Sequence, residues 1–147
     1  MRNTRENGRG SDINRPFEAD AEDEVRIIKK LLSGKRFNCH VDFHEDREAV
    51  GFYMYENCEQ GAGVGHAIVE RVGAIMPINP DGADSESISP GVLCVQPFYS
   101  QQGLLPHVLA HHTDHAVMFE TPSGVDMEAR VAAHLAAFDT VLNYLSP

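Results

Sequence analysis

The sequence predicts an α/β fold, in which helices flank a mixed and largely parallel sheet. Short runs of β-branched and aromatic residues alternate along the chain with longer segments whose apolar residues recur at three- and four-residue steps. This alternation of strands and helices is typical of α/β domains. The length of 147 residues suits one domain, so we expect a single domain over residues 1–147.

Helices are predicted over 18–33, 62–75 and 104–112. A last helix is predicted to carry Val131, Leu135, Phe138, Leu142 and Leu145, whose 4-3-4-3 steps form an apolar stripe on one face. Strands are predicted over 37–43, 92–95 and 116–119, and residues 50–55 form either a strand or an ordered loop. Residues 77–91 are rich in Pro, Gly, Ser and Asp, which predicts a long surface loop. Ser123, followed by Asp126, resembles a capping box in front of the last helix.

The composition restricts the partners. The formal net charge is -10, so the chain repels phosphate backbones and no nucleic-acid partner is expected. No apolar run is long enough to span a membrane, and the N-terminal segment lacks the apolar core of a signal peptide, so no membrane partner is expected. Three cysteines without a CxxC pair favour free thiols in a reducing compartment, which predicts a cytoplasmic protein.

Two candidate sites lie where predicted strands end. In the segment Asp42-Phe43-His44-Glu45-Asp46, a neutral imidazole can bind zinc while a neighbouring carboxylate fixes its tautomer; an acidic surface turn is the alternative. Glu120 closes an apolar run before Thr121-Pro122, so we expect it to be partly desolvated, with a raised pKa that suits proton transfer. An acid that caps the following helix is the alternative for Glu120.

Two further groups come from loops and histidines. Asn14 and Arg15 stand side by side and can together bind a carboxylate, although a solvated linker has the same pattern. His107, His111, His112 and His115 include pairs at i,i+4 spacing, but without an HExxH motif surface histidines explain them better. Tyr99 is a further candidate for substrate binding.

Taken in order, these motifs resemble the M14 zinc-carboxypeptidase superfamily, including its succinylglutamate desuccinylase/aspartoacylase-like branch. Residues 12–17 resemble the Asn-Arg element of that family, and residues 41–44 resemble the strand that ends in its third zinc-binding histidine. Residues 119–122 resemble the strand that ends in its catalytic glutamate. The resemblance spans nearly the whole chain, in family order, and implies a zinc-carboxypeptidase-like α/β fold.

The resemblance implies a zinc-dependent metallocarboxypeptidase-like hydrolase, a protease or deacylase that cleaves an amide bond next to a substrate carboxylate. By that resemblance His44 binds zinc, and Glu120 activates water and then protonates the leaving amine. Asn14 and Arg15 would hold the carboxylate of a peptide C-terminus or of an N-acyl amino acid. Arg5 lies in the region where the family has an arginine that polarises the scissile carbonyl.

The first zinc motif of the family, HxxE, is missing. Only 13 residues precede Asn14 and none is a histidine, so two of the three protein ligands are absent. We therefore expect a catalytic domain that is truncated at its N-terminus, completed by a second chain, or inactive. A non-catalytic carboxylate-binding or interaction protein on the same fold is the alternative function, and both a homo-oligomer and a complementing chain stay open as partners.

Overall fold

The structure, a computed structural model, describes residues 6–15, 17, 22–57, 63–80, 87–95 and 103–146. The chain forms two compact units, each built from two separate stretches of sequence. The first unit comprises Met1–His40 and Gln96–Asp114, and the second comprises Val41–Val95 and His115–Pro147. The expectation of one domain over 1–147 stays a prediction.

The helices are α1 (Asp23–Leu32), α2 (Gly65–Val72), α3 (Leu104–His111) and α4 (Met127–Leu145). The strands are β1 (His40–Asp46), β2 (Tyr53–Glu56), β3 (Ser87–Ser89), β4 (Val92–Cys94) and β5 (Ala116–Pro122). Each predicted helix and strand therefore has a counterpart. The prediction of an uninterrupted loop over 77–91 is wrong, because β3 lies within it. Among the described residues, none of the helices is both long and apolar enough to cross a membrane.

The second unit contains a five-stranded sheet in the order β1-β5-β2-β4-β3. β2 runs parallel to β4 and antiparallel to β5, and β3 runs antiparallel to β4. Backbone N–H of Ser123 donates to the carbonyl of Asp46 at 2.8 Å, and Thr121 Oγ1 lies 3.5 Å from the carbonyl of His44, so β1 and β5 advance in the same direction. The predicted mixed α/β sheet is confirmed.

Helices α2 and α4 cover one face of this sheet. Phe119 of β5 is fully buried on that face and contacts the rings of Phe43 and Phe52. Phe43 also contacts His134 and Phe138 of α4, which places the odd-numbered side chains of β1 on the α4 side. Because side chains alternate along a strand, His44 of β1 and Glu120 of β5 lie on the opposite face.

The last helix begins one turn later than the capping box predicts. The carboxylate of Asp126 accepts a hydrogen bond of 2.9 Å from the backbone N–H of Glu128 and so caps α4. The role predicted for Ser123 is therefore wrong. Short residues form the buried face of α4, since Ala133, Ala137 and Val141 are its buried members.

In the first unit, Asn14 and Phe17, which precede α1 in the sequence, contact the helices. Phe17 is 2% exposed, its ring lies 5.2 Å from that of His107 on α3, and the ammonium group of Lys29 on α1 lies 5.6 Å from its centroid. The side-chain oxygen of Asn14 accepts a hydrogen bond of 2.9 Å from the backbone N–H of Leu104, at the first turn of α3.

The cysteines differ from the expectation of three free thiols. Cys39 is a free thiol, whereas Cys94 at the end of β4 is disulfide-bonded. The expectation is therefore wrong at Cys94.

Candidate functional site

His44 and Glu120 face each other on neighbouring strands of the second unit. Nδ1 of His44 lies 3.9 Å from Oε1 of Glu120. The His44 side chain is 28% exposed and the Glu120 side chain 12% exposed, so the imidazole is reachable from solvent while the carboxylate is largely desolvated. The expected partial desolvation of Glu120 is therefore observed.

A second carboxylate approaches the other ring nitrogen of His44. Oδ2 of Asp42, two residues earlier on the same face of β1, lies 3.1 Å from His44 Nε2. A carboxylate at that nitrogen favours the tautomer with a proton on Nε2 and leaves Nδ1 as the coordinating or accepting atom. Nδ1 is the ring nitrogen that faces Glu120, so the strand alternation gives the imidazole one orienting acid and one facing acid.

Tyr53 of β2 lies on the same face of the sheet as His44 of β1 and Glu120 of β5. It stands directly opposite Glu120 in the antiparallel register of β2 and β5, and therefore lies on the same face of the sheet. Its hydroxyl donates a 2.8 Å hydrogen bond to Oδ2 of Asp46 at the end of β1. Burial raises the pKa of Tyr53 first, and the negative charge of Glu120 and the bond to Asp46 raise it further. Tyr53 therefore stays protonated and acts as a donor.

Asp46 is held in its ionised form by its donors. Burial raises the pKa of Asp46, but hydrogen bonds from the backbone N–H groups of Glu48 and Ala49 and from the Tyr53 hydroxyl outweigh burial, and the net pKa is lowered. Tyr53 is not among the site residues that the sequence predicts. The strand pairing that aligns it with Glu120 joins residues far apart in sequence, and no local pattern reports such pairing.

On the opposite face of the sheet, side chains of α4 contact the same two strands, β1 and β5. Arg130, whose side chain is 11% exposed, contacts the carboxylate of Glu45 on β1. Nε2 of His134 lies 3.1 Å from Oγ1 of Thr121 on β5. Burial is the main reason why the pKa of His134 is lowered. A largely neutral His134 and a paired Arg130 therefore fix β1 and β5 to α4 directly beneath His44 and Glu120.

The remaining predicted site residues are not all placed. Asn14 and Arg15 belong to the first unit, where Asn14 caps α3 and Nε of the exposed Arg15 lies 4.0 Å from Oδ2 of Asp12. Arg5 and Tyr99 lie outside the described residues. Of the residues predicted to form the site, the structure thus brings together His44 and Glu120.

The histidines late in the chain have separate environments. His107, His111 and His112 have ring centroids 4.9 to 6.2 Å apart in the first unit. Nδ1 of His112 lies 2.9 Å from the carbonyl of Lys35. His115 belongs to the second unit, where its Nε2 lies 3.1 Å from Oε1 of the buried Glu56. These contacts are structural partners of the kind expected for histidines outside a site.

The described residues do not fit a complete zinc centre. Within 6–15, 17, 22–57, 63–80, 87–95 and 103–146, no group of three or more His, Cys, Asp or Glu side chains is arranged to hold a metal ion. A catalytic zinc usually keeps three protein ligands, and here one imidazole stands with an orienting Asp42 and a facing Glu120. The described residues thus give an imidazole with one carboxylate at each ring nitrogen.

The chain is similar in fold to solved structures of other proteins. No family model and no curated protein matches the chain. A crystal structure named "putative metallopeptidase" from Shewanella amazonensis SB2B matches with a TM-score of 0.77 and 23% identity, over 96% of this chain and 57% of that one. Similarly named structures from Shewanella denitrificans OS217 and Shewanella baltica OS155 match with TM-scores of 0.78 and 0.76, at 21% and 19% identity, over 96% and 95% of this chain.

The chain spans little more than half of each of these relatives, 55% and 57% of the latter two. At these identities the similarity concerns the course of the backbone. The chain has a metallopeptidase-like fold.

Proposed function

We propose that this chain carries part of the site of a zinc-dependent hydrolase of the M14 carboxypeptidase type, which cleaves an amide bond next to a substrate carboxylate. The observation that supports the proposal is the 3.9 Å approach of His44 Nδ1 to Glu120 Oε1, with Asp42 at the other ring nitrogen. The metallopeptidase names of the fold relatives favour the same reaction class.

In this proposal Glu120 moves the proton. Its carboxylate accepts a proton from water as the water oxygen bonds to the scissile carbonyl carbon, and it delivers that proton to the nitrogen as the C–N bond breaks. The Glu120 side chain is largely buried and lies beside the imidazole of His44, which places it to exchange a proton within the site. Tyr53 and Asp46 hold the neighbouring strands, so the Glu120 carboxylate stays aligned with His44.

The family resemblance supplies the proposed role of Asn14 and Arg15. Asn14 and Arg15 would bind the carboxylate of a peptide C-terminus or an N-acyl amino acid, since a guanidinium fork suits such a group. Arg5 would polarise the scissile carbonyl and Tyr99 would contact the substrate, as the family resemblance implies.

Zinc is the metal that we propose, and it needs ligands beyond the described residues. When bound, zinc acidifies water and polarises a carbonyl. His44 would hold it through Nδ1, and the other ligands would come from polypeptide that corresponds to the remainder of the longer fold relatives, or from a second chain. Among the described residues, no group of three or more candidate ligands includes His44.

Metal binding tests the role of His44. We expect the chain to bind Zn²⁺ or Co²⁺ weakly in calorimetric titration, and His44→Ala to reduce the affinity by about tenfold or more. His66→Ala is the matched control, because His66 is exposed on α2. Equal affinities of both variants would remove His44 from the metal site.

Hydrolysis tests the role of Glu120. The chain, extended by the polypeptide that corresponds to the remainder of the fold relatives and loaded with zinc, is assayed with peptides that have a free C-terminus and with N-acyl amino acids. We expect Glu120→Gln to lower kcat by about 10²-fold or more, in the range of general-base loss. Glu70→Gln, an exposed change on α2, is the control. An unchanged kcat in Glu120→Gln would contradict the assigned role.

A non-catalytic carboxylate-binding protein on the same fold is the second candidate. It is favoured by the lack of a three-ligand metal group among the described residues. This candidate requires that a peptide with a free C-terminus binds without zinc, that Arg15→Ala weakens the binding, and that no substrate is hydrolysed with or without metal. Hydrolysis that depends on Glu120 would exclude it.

The predicted cytoplasmic location stays a prediction. The disulfide at Cys94 counts against it, because structural disulfides are rare in reducing compartments. Fractionation of cells that express the tagged protein decides the location.

A further inference from the structure

Asp12 makes three contacts with residues that follow it in the loop before α1. Its Oδ1 accepts a hydrogen bond of 3.1 Å from the backbone N–H of Asn14, and its carbonyl accepts one of 3.3 Å from the backbone N–H of Arg15. Its Oδ2 lies 4.0 Å from Nε of Arg15. An aspartate that accepts the N–H two residues later closes a local turn, so Asp12 fixes the backbone of Asn14 and Arg15.

The side chain of Asn14 is fixed by a different element. Its Oδ1 accepts the hydrogen bond of 2.9 Å from the backbone N–H of Leu104, where α3 begins. Because the oxygen of the amide accepts this bond, the Nδ2 end of the same amide is turned away from Leu104. A carboxylate only accepts hydrogen bonds, so Nδ2 is the end of Asn14 that can bind one.

Gly103 allows this close approach of Asn14 to α3. Its φ of +97° lies in the region that favours glycine, and a Cβ placed there would lie 3.0 Å from Oδ1 and 3.3 Å from Cγ of Asn14. A larger residue at 103 would therefore strain the backbone and displace the amide. Gly103 and Leu104 thus set the side chain of Asn14, whereas Asp12 sets its backbone.

Arg15 carries the positive charge of the loop. Its side chain is 55% exposed, and the side chain of Asp12 beside it is 26% exposed. An exposed arginine samples many rotamers, and ordering them on binding costs conformational entropy. At 4.0 Å the contact between Nε and Oδ2 is longer than a hydrogen bond, so Asp12 restricts Arg15 through its charge and through the fixed backbone.

We infer that Asp12 is a positioning residue for Asn14 and Arg15, and that it gives the loop its preference for a carboxylate over a carboxamide. The inference rests on the proposed function, which assigns Asn14 and Arg15 to the substrate carboxylate. Two pre-organised donors, Nδ2 of Asn14 and the guanidinium of Arg15, suit an anion that only accepts hydrogen bonds. A carboxamide has no charge and carries donors of its own. Because its own carboxylate repels that of a ligand, Asp12 acts through its two neighbours and not by contact.

NMR titrations of the chain with two N-acetylated dipeptides, one with a free carboxylate and one that ends in a carboxamide, test the inference. The readout is the ratio of the two affinities, because a loss of fold weakens both ligands equally and leaves the ratio unchanged. We expect the wild type to prefer the acid by about tenfold or more, and Arg15→Ala to lose most of this preference.

Asp12→Ala is expected to lower the ratio at least about threefold, because Asn14 and Arg15 are then ordered only on binding. Asp12→Asn keeps an oxygen that can accept the N–H of Asn14 but loses the charge, so its ratio should lie between those of Asp12→Ala and the wild type.

Asp114→Ala is the matched control. It also deletes an acid beside an arginine of the first unit, since Oδ2 of Asp114 accepts a hydrogen bond of 2.6 Å from Nη2 of Arg36. It changes the net charge by the same amount as Asp12→Ala, and we expect it to leave the ratio unchanged.

The outcomes separate this inference from the proposed function. A ratio that falls in Arg15→Ala but keeps its wild-type value in Asp12→Ala would overturn the positioning role of Asp12 and leave the proposed function intact. If the wild type does not prefer the acid, or if the preference survives Arg15→Ala, the carboxylate role in the proposed function is contradicted and the inference falls with it.

Discussion

Tyr53 and Asp46 are hydrogen-bonded across an intervening strand. Tyr53 lies on β2 and Asp46 at the end of β1, and β5 runs between them with Glu120 directly opposite Tyr53. The bond therefore bridges the two strands that flank Glu120. It fixes the position of β1 relative to β2, and Glu120 of β5 lies between these two strands.

Tyr53→Phe removes this bridge and keeps the ring. We expect the variant to lose about 1–2 kcal/mol of unfolding free energy, the range for a hydrogen bond to a charged acceptor that water partly replaces. Urea denaturation monitored by circular dichroism measures the loss. Tyr144→Phe is the control, since Tyr144 is 55% exposed on α4. An unchanged midpoint in Tyr53→Phe would show that the bridge contributes nothing to stability.

Glu56 holds the start of α2. Its carboxylate, 5% exposed, accepts hydrogen bonds from the backbone N–H groups of Val64 at 2.9 Å and Gly65 at 3.0 Å and lies 3.1 Å from His115 Nε2. Glu56→Ala leaves these groups buried without their acceptor, and we expect it to destabilise the protein by about 3 kcal/mol. Thermal denaturation measures the change.

The control for Glu56 is Glu48→Ala, which deletes an exposed acid. The loss of stability in Glu56→Gln should lie between the losses in these two variants, because the amide oxygen still accepts one backbone hydrogen bond. A loss in Glu56→Ala no greater than in Glu48→Ala would contradict the role of the carboxylate.

Local patterns predicted the elements of the fold well where hydrophobic runs decide them. The apolar run of β5 ends at the predicted Glu120 region, and α4 follows its helical periodicity. The predicted strand 37–43 begins three residues before β1. Phe37 has a high strand propensity, but its N–H donates to the carbonyl of His112 in the first unit. Its polar end, His44-Glu45-Asp46, has low strand propensity and is held by pairing with β5.

The face of α4 that is buried could not be predicted from its apolar stripe. A large-residue stripe normally faces the core, yet here Ala133, Ala137 and Val141 face α2 and the sheet because short side chains allow close packing. The predicted pair of His44 and Glu120 depended on two strand ends, which sequence patterns mark. The contact between Tyr53 and Asp46 depends on the register of the strands, and sequence patterns do not report register.

The two candidate caps of α4 have different expected costs. Asp126→Ala deletes the acceptor for the N–H of Glu128 and should destabilise the protein by about 1 kcal/mol. Ser123→Ala, the change at the residue favoured by the sequence pattern, should have a smaller effect. Chemical denaturation of both variants compares them directly, and a larger loss in Ser123→Ala would return the capping role to Ser123.

His134 should make stability depend on pH. Burial, above all, lowers its pKa below the ordinary value of 6.5, so the unfolded chain binds a proton more readily than the folded chain. The stability that comes from His134 is therefore fully present above about pH 6.5 and is lost as the pH falls through the lowered pKa of the folded state. His134→Gln removes the titrating group and should flatten the stability profile in this window.

Urea midpoints measured at intervals from about pH 8 to about pH 5 test this expectation. His66→Gln deletes an exposed imidazole on α2 and is the matched control variant. Because His134 Nε2 contacts Thr121 of β5, His134→Gln should also lower stability at pH 8, where the charge plays no part. A profile for His134→Gln that runs parallel to that of the wild type at all pH values would show that His134 does not link acid to unfolding.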